Sequence, residues 1–224
     1  LRSYIDTLYN FGDEFKFEEQ KEFIGVINQE IIRLNNMVND ILDFSKLESN
    51  TRYEKQNGDI MLTLEKTLSN LKVLAQEKSI NFIVEKDNNI PKIPYNEESI
   101  ERVISNLVTN AIKYAPKNSP IDIKAAISEQ NPDYVKITVS DKGIGISKEH
   151  QKKIFDRFYR VENDTHTIKG TGLGLHLVKV TIEKHHQGKV FVESELNQGS
   201  TFGFYLPINP TKENEEEIAK EAQA

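Results

Sequence analysis

The chain contains no cysteine. That excludes disulfides, thiolate metal sites and thiol redox chemistry, and it is compatible with a reducing compartment. No stretch approaches the roughly 18 consecutive apolar residues of a membrane span, and no leader peptide is visible, so the sequence reads as soluble with no membrane contact of its own. Basic excess is lacking too: 29 Lys and Arg stand against 35 Asp and Glu, a net charge of −6. A global positive field for nucleic acid is thereby excluded. What remains is a chain of 224 residues, 37% hydrophobic and 29% charged, enough for one large domain or two small ones.

Residues 1–50 read as purely helical. Ile24, Ile27, Ile31, Leu34, Val38 and Ile41 step by 3, 4, 3, 4, 3, a heptad seam thickened by Phe23, Leu42, Phe44 and Leu47. Leu1, Tyr4, Ile5 and Leu8 form a shorter stripe before it, and Phe11-Gly12-Asp13-Glu14 supplies a turn. A two-helix hairpin with so wide a seam cannot bury it alone. Pairing with a second copy into a four-helix bundle is expected; packing of the seam on the rest of the chain is the other reading.

Ser49-Asn50-Thr51 and Gln56-Asn57-Gly58 mark a boundary. Beyond it the pattern alternates between element types. Helices are expected over 61–78, 97–114 and 173–185. Strands are expected over 80–84, 121–127, 134–140, 189–193 and 201–206, the last two joined by a hairpin at Asn197-Gln198-Gly199. The fold class is therefore α+β: a helical hairpin at 1–50, half of a dimeric bundle, then an α/β sandwich at 51–210 with a mixed sheet and helices on one face. Residues 211–224, rich in Glu and Lys, read as a polar tail.

The helix ending at Tyr114 is apolar nearly all round. Val103, Ile104, Leu107, Val108, Ala111 and Ile112 cover most of it. At about 100° per residue, Asn106, Asn110 and Lys113 fall within roughly 60° of each other. Polar groups on a largely buried helix need partners. Amide oxygens suit a hard divalent cation and an ammonium suits phosphate, so the stripe reads as the floor of a metal–phosphate site. A polar seam against another helix would leave the same pattern.

Three further segments carry chemistry. Asp141-Lys142-Gly143-Ile144-Gly145-Ile146 follows directly on a strand. Its glycines admit close backbone approach, and Asp141 can accept a hydrogen bond from an exocyclic amine such as adenine's; an ordinary turn is the alternative. Ile154-Phe155-Asp156-Arg157-Phe158-Tyr159-Arg160 sets aromatics beside two arginines. Phe155 and Phe158 read as structural and Arg160 as functional. Gly170-Thr171-Gly172-Leu173-Gly174-Leu175 precedes a helix, a cradle in which backbone N–H groups and the helix dipole can hold phosphate. No strand lies just upstream, as a Rossmann fingerprint needs, and no Gly-Lys-Ser/Thr follows, as a P-loop needs. The polar segment 161–169 suits a mobile lid.

In this order, the four segments resemble the N, G1, F and G2 boxes of the catalytic ATP-binding domain of sensor histidine kinases, a fold shared with gyrase, Hsp90 and MutL-type ATPases. Ile41-Leu42-Asp43-Phe44-Ser45-Lys46-Leu47-Glu48 is similar to the end of the kinases' dimerisation and phosphotransfer domain. The resemblance spans about residues 1–208. It implies ATP and Mg2+ as cofactors, with Asn110 holding the metal and Asn106 lining the phosphate side. It implies that Lys113 and Tyr114 contact phosphates or nucleotide, that Asp141 reads the adenine amine, and that Arg160 approaches the terminal phosphate. Gly143, Gly145, Gly170, Thr171, Gly172, Leu173 and Gly174 would form the backbone cradle, and Lys113 and Arg160 would serve catalysis. The implied partners are a response-regulator receiver domain and a second copy of the chain, and the implied setting is the cytoplasmic core of a membrane-anchored sensor.

The departures from the family pattern are as informative. The family's first helix carries a phosphoacceptor histidine in a run like H-E-L-R-T-P-L, and no such run occurs here. The best register sets Leu1 to Leu8 just after it, placing that histidine about nine residues before Leu1 by motif counting. The five histidines, His150, His166, His176, His185 and His186, all lie in the ATP-domain region. His185-His186-Gln187-Gly188 is one residue longer than the family's turn, and its histidines read as surface or turn residues. The competing readings are a non-catalytic nucleotide-binding and dimerisation module, and an ATPase or serine kinase of the same superfamily.

Overall fold

The computed structural model describes residues 2–48, 54–161 and 171–210. The lid segment from 162, Gly170 with it, and the tail from 211 lie outside the described residues. Helix α1, Arg2–Phe11, and the long α2, Phe17–Glu48, form the expected hairpin around a single 3-10 turn at Gly12–Glu14. Gln20 closes that turn by donating to the Gly12 carbonyl at 2.8 Å and the Phe15 carbonyl at 3.2 Å. Of the seam, Ile24, Ile31, Leu34, Val38 and Ile41 are exposed and Ile27 is half-buried, although α2 also touches the helix Gly174–Lys179.

The second part is a layered α+β unit. Strand β1 is Gln56–Gly58, followed by α3, Ile60–Gln76; β2, Asn81–Lys86; β3, Ile93–Tyr95; and α4, Glu97–Tyr114. Then come β4, Pro120–Ile127; β5, Tyr134–Asp141; the short α5, Lys148–Gln151; α6, Gly174–Lys179; β6, Lys189–Glu195; and β7, Gly199–Pro207. The main sheet has the order β2-β4-β5-β7-β6, with β2 parallel to β4 and every other pairing antiparallel. Alternation explains the one-sided core. Ile121, Ile123 and Ala125 of β4, Val135, Ile137 and Val139 of β5, and Phe202, Phe204 and Leu206 of β7 point under the helices. Opposite them, Asp122, Lys124, Lys136 and Tyr205 stand on the open face.

Three differences from the sequence expectations stand out. Gln56-Asn57-Gly58 is a strand, paired antiparallel with β3 through Gln56 to Tyr95, Asn57 to Pro94 and Gly58 to Ile93. The 3-residue strand β3 and the 4-residue α5 were also not expected. The helix expected over 173–185 is α-helical only to Lys179; Val180–His185 is wound as a π-helix.

Candidate functional site

Helix α4 is the floor of the site, and its sequence places it firmly. Asn96 caps it, its Oδ1 accepting from the Ser99 N–H at 3.0 Å, and Glu97 and Glu98 in the first turn complement the dipole. Ala115 ends it in extended backbone before Pro116. Ile100, Val103, Ile104, Leu107, Val108, Ala111 and Ile112 are buried. Asn106, Asn110 and Lys113 share the remaining face and are half-buried. The side-chain amides of Asn106 and Asn110 have no hydrogen-bond partner among the described residues.

Two glycine turns close on this floor. Asp141 ends β5 at 9% exposure, and its Oδ1 accepts the Gly143 N–H at 2.7 Å. A Cβ on Gly143 would fall 2.6 Å from the Tyr114 carbonyl, so only glycine lets this turn lie against the end of α4. Burial pushes the Asp141 carboxyl up from its ordinary value, and the Gly143 N–H partly offsets that. The second turn carries Thr171, Gly172, Leu173 and Gly174 to the start of α6. Gly172 has φ +74 with its face against the Phe158 backbone, and a Cβ on Gly174 would stand 3.0 Å from Asn106 Oδ1. Both glycine turns thus lie against α4: Gly174 beside Asn106, and Gly143, with Asp141, beside the Tyr114 carbonyl.

Arg160 lies close enough to Lys113 for the two charges to repel. The Lys113 ammonium lies 5.1 Å from the Tyr114 ring centre. Burial, and then repulsion from Arg160, lower the Lys113 ammonium to about 8. Tyr114 is pushed up by burial, with Arg160 opposing. A phosphate entering between Lys113 and Arg160 would restore the proton that burial disfavours. Triphosphate affinity is therefore expected to fall as pH rises above about 8, by at most about tenfold per unit, the limit for one linked proton. Adenosine, which has no phosphate, should show no such slope in titration calorimetry; a flat profile for ATP would remove Lys113 from the phosphate contacts.

The donor set fits a nucleotide with a hard cation. Among the described residues no group of three or more His, Cys, Asp or Glu could hold a metal alone. An ion at Asn110 would draw its other ligands from phosphates and water, the usual habit of magnesium. Glycine turns too tight for a Cβ match a backbone phosphate cradle.

Several supporting residues were not read from the sequence. Ser194 Oγ accepts the Ile146 N–H at 2.8 Å, and Gln151 donates to the carbonyls of Ile146 at 2.7 Å and Ser194 at 2.8 Å. Both brace the turn after Asp141. His150 pairs with the Tyr159 hydroxyl at 2.7 Å, and His176 lies 3.1 Å from the Phe155 carbonyl. Together they pin the aromatic segment. Phe155 packs edge-on to Phe202, but Phe158 is 60% exposed, so only its backbone serves the structural role expected of it. His186 corrects the surface reading of the histidine pair: it is 2% exposed. Its Nδ1 donates to the Thr181 carbonyl at 2.8 Å and its Nε2 accepts the Asn96 N–H at 3.1 Å. Burial holds it neutral, down to about 4. Standing just past the π-helix, it props the start of α4.

These features define the class: the chain belongs to the histidine kinase-, DNA gyrase B-, and HSP90-like ATPase family, whose model matches residues 95–210. Residues 1–50 match the His Kinase A phospho-acceptor domain, and the two in this order mark a sensor histidine kinase core. The chain is 38% identical over 215 residues to drug sensory protein A of Synechocystis, covering 93% of this chain and 32% of that protein. It is 36% identical over 218 residues to an uncharacterised sensor-like histidine kinase of Porphyra purpurea, covering 93% of this chain and 33% of that protein. The chain thus spans about a third of the length of these relatives. Histidine kinase ThkA, solved in complex with the response regulator protein TrrA, superposes with a TM-score of 0.72 at 25% identity, covering 94% of this chain and 59% of that one.

Proposed function

We propose that the chain is the ATP-dependent core of a protein-histidine kinase in a two-component system. ATP with Mg2+ binds between α4 and the glycine turn ahead of α6. Asp141 accepts the adenine amine, Asn110 holds the metal, and Lys113 and Arg160 neutralise the phosphates. The γ-phosphoryl passes to a histidine imidazole: an N–P bond forms, the bond to the bridging oxygen breaks, and ADP leaves. The phosphoryl then moves to an aspartate of a response-regulator receiver domain. Such transfers need positioning and charge neutralisation more than covalent help from the enzyme. A second copy of the chain covers the exposed seam of α2. What supports this reading most is that both glycine turns lie against α4, Gly174 beside Asn106 and Gly143, with Asp141, beside Tyr114.

Phosphotransfer tests it. Residues 1–149 contain no histidine, so this chain should stay unlabelled by γ-labelled ATP. A version extended upstream of Leu1 by about one to two dozen residues, a few helical turns, should take an acid-labile phosphoramidate label. Asp141→Asn sets two donors against the adenine amine. It should weaken ATP and ADP by roughly tenfold, about 1.4 kcal/mol. Tight ATP binding without label on the extended version would favour a non-catalytic nucleotide-binding module instead.

A further inference from the structure

The last turn of α4 carries Lys113 and Tyr114, and a helix end leaves its final carbonyls without intrahelical donors. Here a side chain from another element collects them. Lys78, just past the end of α3, donates from its Nζ to the carbonyls of Ile112 at 2.8 Å, Lys113 at 2.8 Å and Ala115 at 3.3 Å. An ammonium has three N–H donors and no acceptor, so all three are spent on this turn. Its charge also sits at the negative end of the helix dipole. The backbone closes the same knot: the Asn118 N–H donates to the Lys78 carbonyl at 3.0 Å, and Asn118 adopts φ 62 to do so. The chain from Ile112 to Asn118 is thereby wrapped around one partly buried side chain.

We propose that Lys78 is a positioning residue of the nucleotide site, setting the turn from which Lys113 reaches the phosphates and against which the adenine-side glycine turn rests. The second half of that statement follows from the Tyr114 carbonyl, which lies 2.6 Å from where a Cβ of Gly143 would stand. Gly143 in turn donates to Asp141. One ammonium therefore fixes the backbone on both sides of Tyr114, next to Lys113 and to the turn that carries Gly143 and Asp141. No residue expected from the sequence to touch nucleotide does this. The proposal rests on the nucleotide reading above.

The test compares wild type with Lys78→Met, which keeps the stem and loses the charge and donors, and Lys78→Arg, which keeps the charge. Lys78→Gln, which keeps a donor, serves if the Met variant does not fold. Each is titrated with ADP and with adenosine across pH 7–9, beside its melting temperature. The loss of Lys78 should weaken ADP at least about tenfold at pH 7, weaken adenosine less, and flatten the fall in ADP affinity above about pH 8, because Lys113 is no longer aimed. Lys78→Arg should recover part of both. A folded neutral variant with the wild-type ratio of ADP to adenosine affinity and the wild-type pH profile overturns the proposal, leaving Lys78 a helix cap that moves only the melting temperature. A wild-type chain that binds neither ligand overturns the nucleotide reading itself, and this inference with it.

Discussion

Asn110→Ala is expected to abolish magnesium-dependent ATP binding while the fold survives. Asn110 lies on the half-buried stripe of α4, and its neighbours Leu107, Val108, Ala111 and Ile112 hold the helix to the core without it. Alanine is the best helix former, and the amide it removes has no partner among the described residues, so no buried group is orphaned. The loss should therefore be confined to the ligand. Deleting one oxygen from a metal that takes few protein ligands leaves the triphosphate charge poorly neutralised. Calorimetry with Mg-ATP, repeated with chelator, should show binding collapse in the variant, with circular dichroism unchanged. Wild-type Mg-ATP binding by a folded variant would make Asn110 a structural residue and remove the metal from this helix.

Ile31→Asp and Leu34→Asp should each convert a dimer to a monomer. Both side chains belong to the heptad seam and stand exposed in the single chain, at 44% and 50%. In a four-helix bundle of two copies that seam becomes the core. A carboxylate placed there costs several kcal/mol unless it escapes to water, a large fraction of typical association free energies. Light scattering should report the monomer, while ATP binding through residues far from the seam persists. A wild-type chain that is monomeric at tens of micromolar, a working range near typical weak affinities, would contradict the bundle.

How much of this was legible in the sequence depended on where each signal lay. Helix α4 was readable to the residue, Glu97–Tyr114, because its cap, its apolar faces and its proline stop are all local. The β6–β7 hairpin was announced by Asn197-Gln198-Gly199, and Asn197 takes φ 63 there. Strands β1 and β3 were not readable: three residues carry no period, and each exists only because the other, over thirty residues away, pairs with it. Lys78 and His186 escaped for the same reason. A lysine after a helix looks like surface charge until the carbonyls of Ile112 and Lys113 arrive from 34 and 35 residues away. A histidine in a turn looks exposed until Asn96 meets it from 90 residues away. The candidate site residues were named from residue types at fixed spacing; what steadies their elements was not readable, because it is assembled from distant chain.

The parallel pairing of β2 with β4 has a consequence for how this molecule comes to exist. Parallel neighbours cannot be joined by a tight turn; the chain must cross over the sheet, and the crossover here is β3 and α4. The helix that would hold ATP is thus also the bridge without which the sheet has no fifth strand. Ile104 and Leu107, buried under the sheet's cover, belong to the bridging role, whereas Asn106 and Asn110 stand on the half-buried face that bridging does not use. A descendant that ceased to use nucleotide would be free to erase the polar stripe, yet would remain bound to keep the helix.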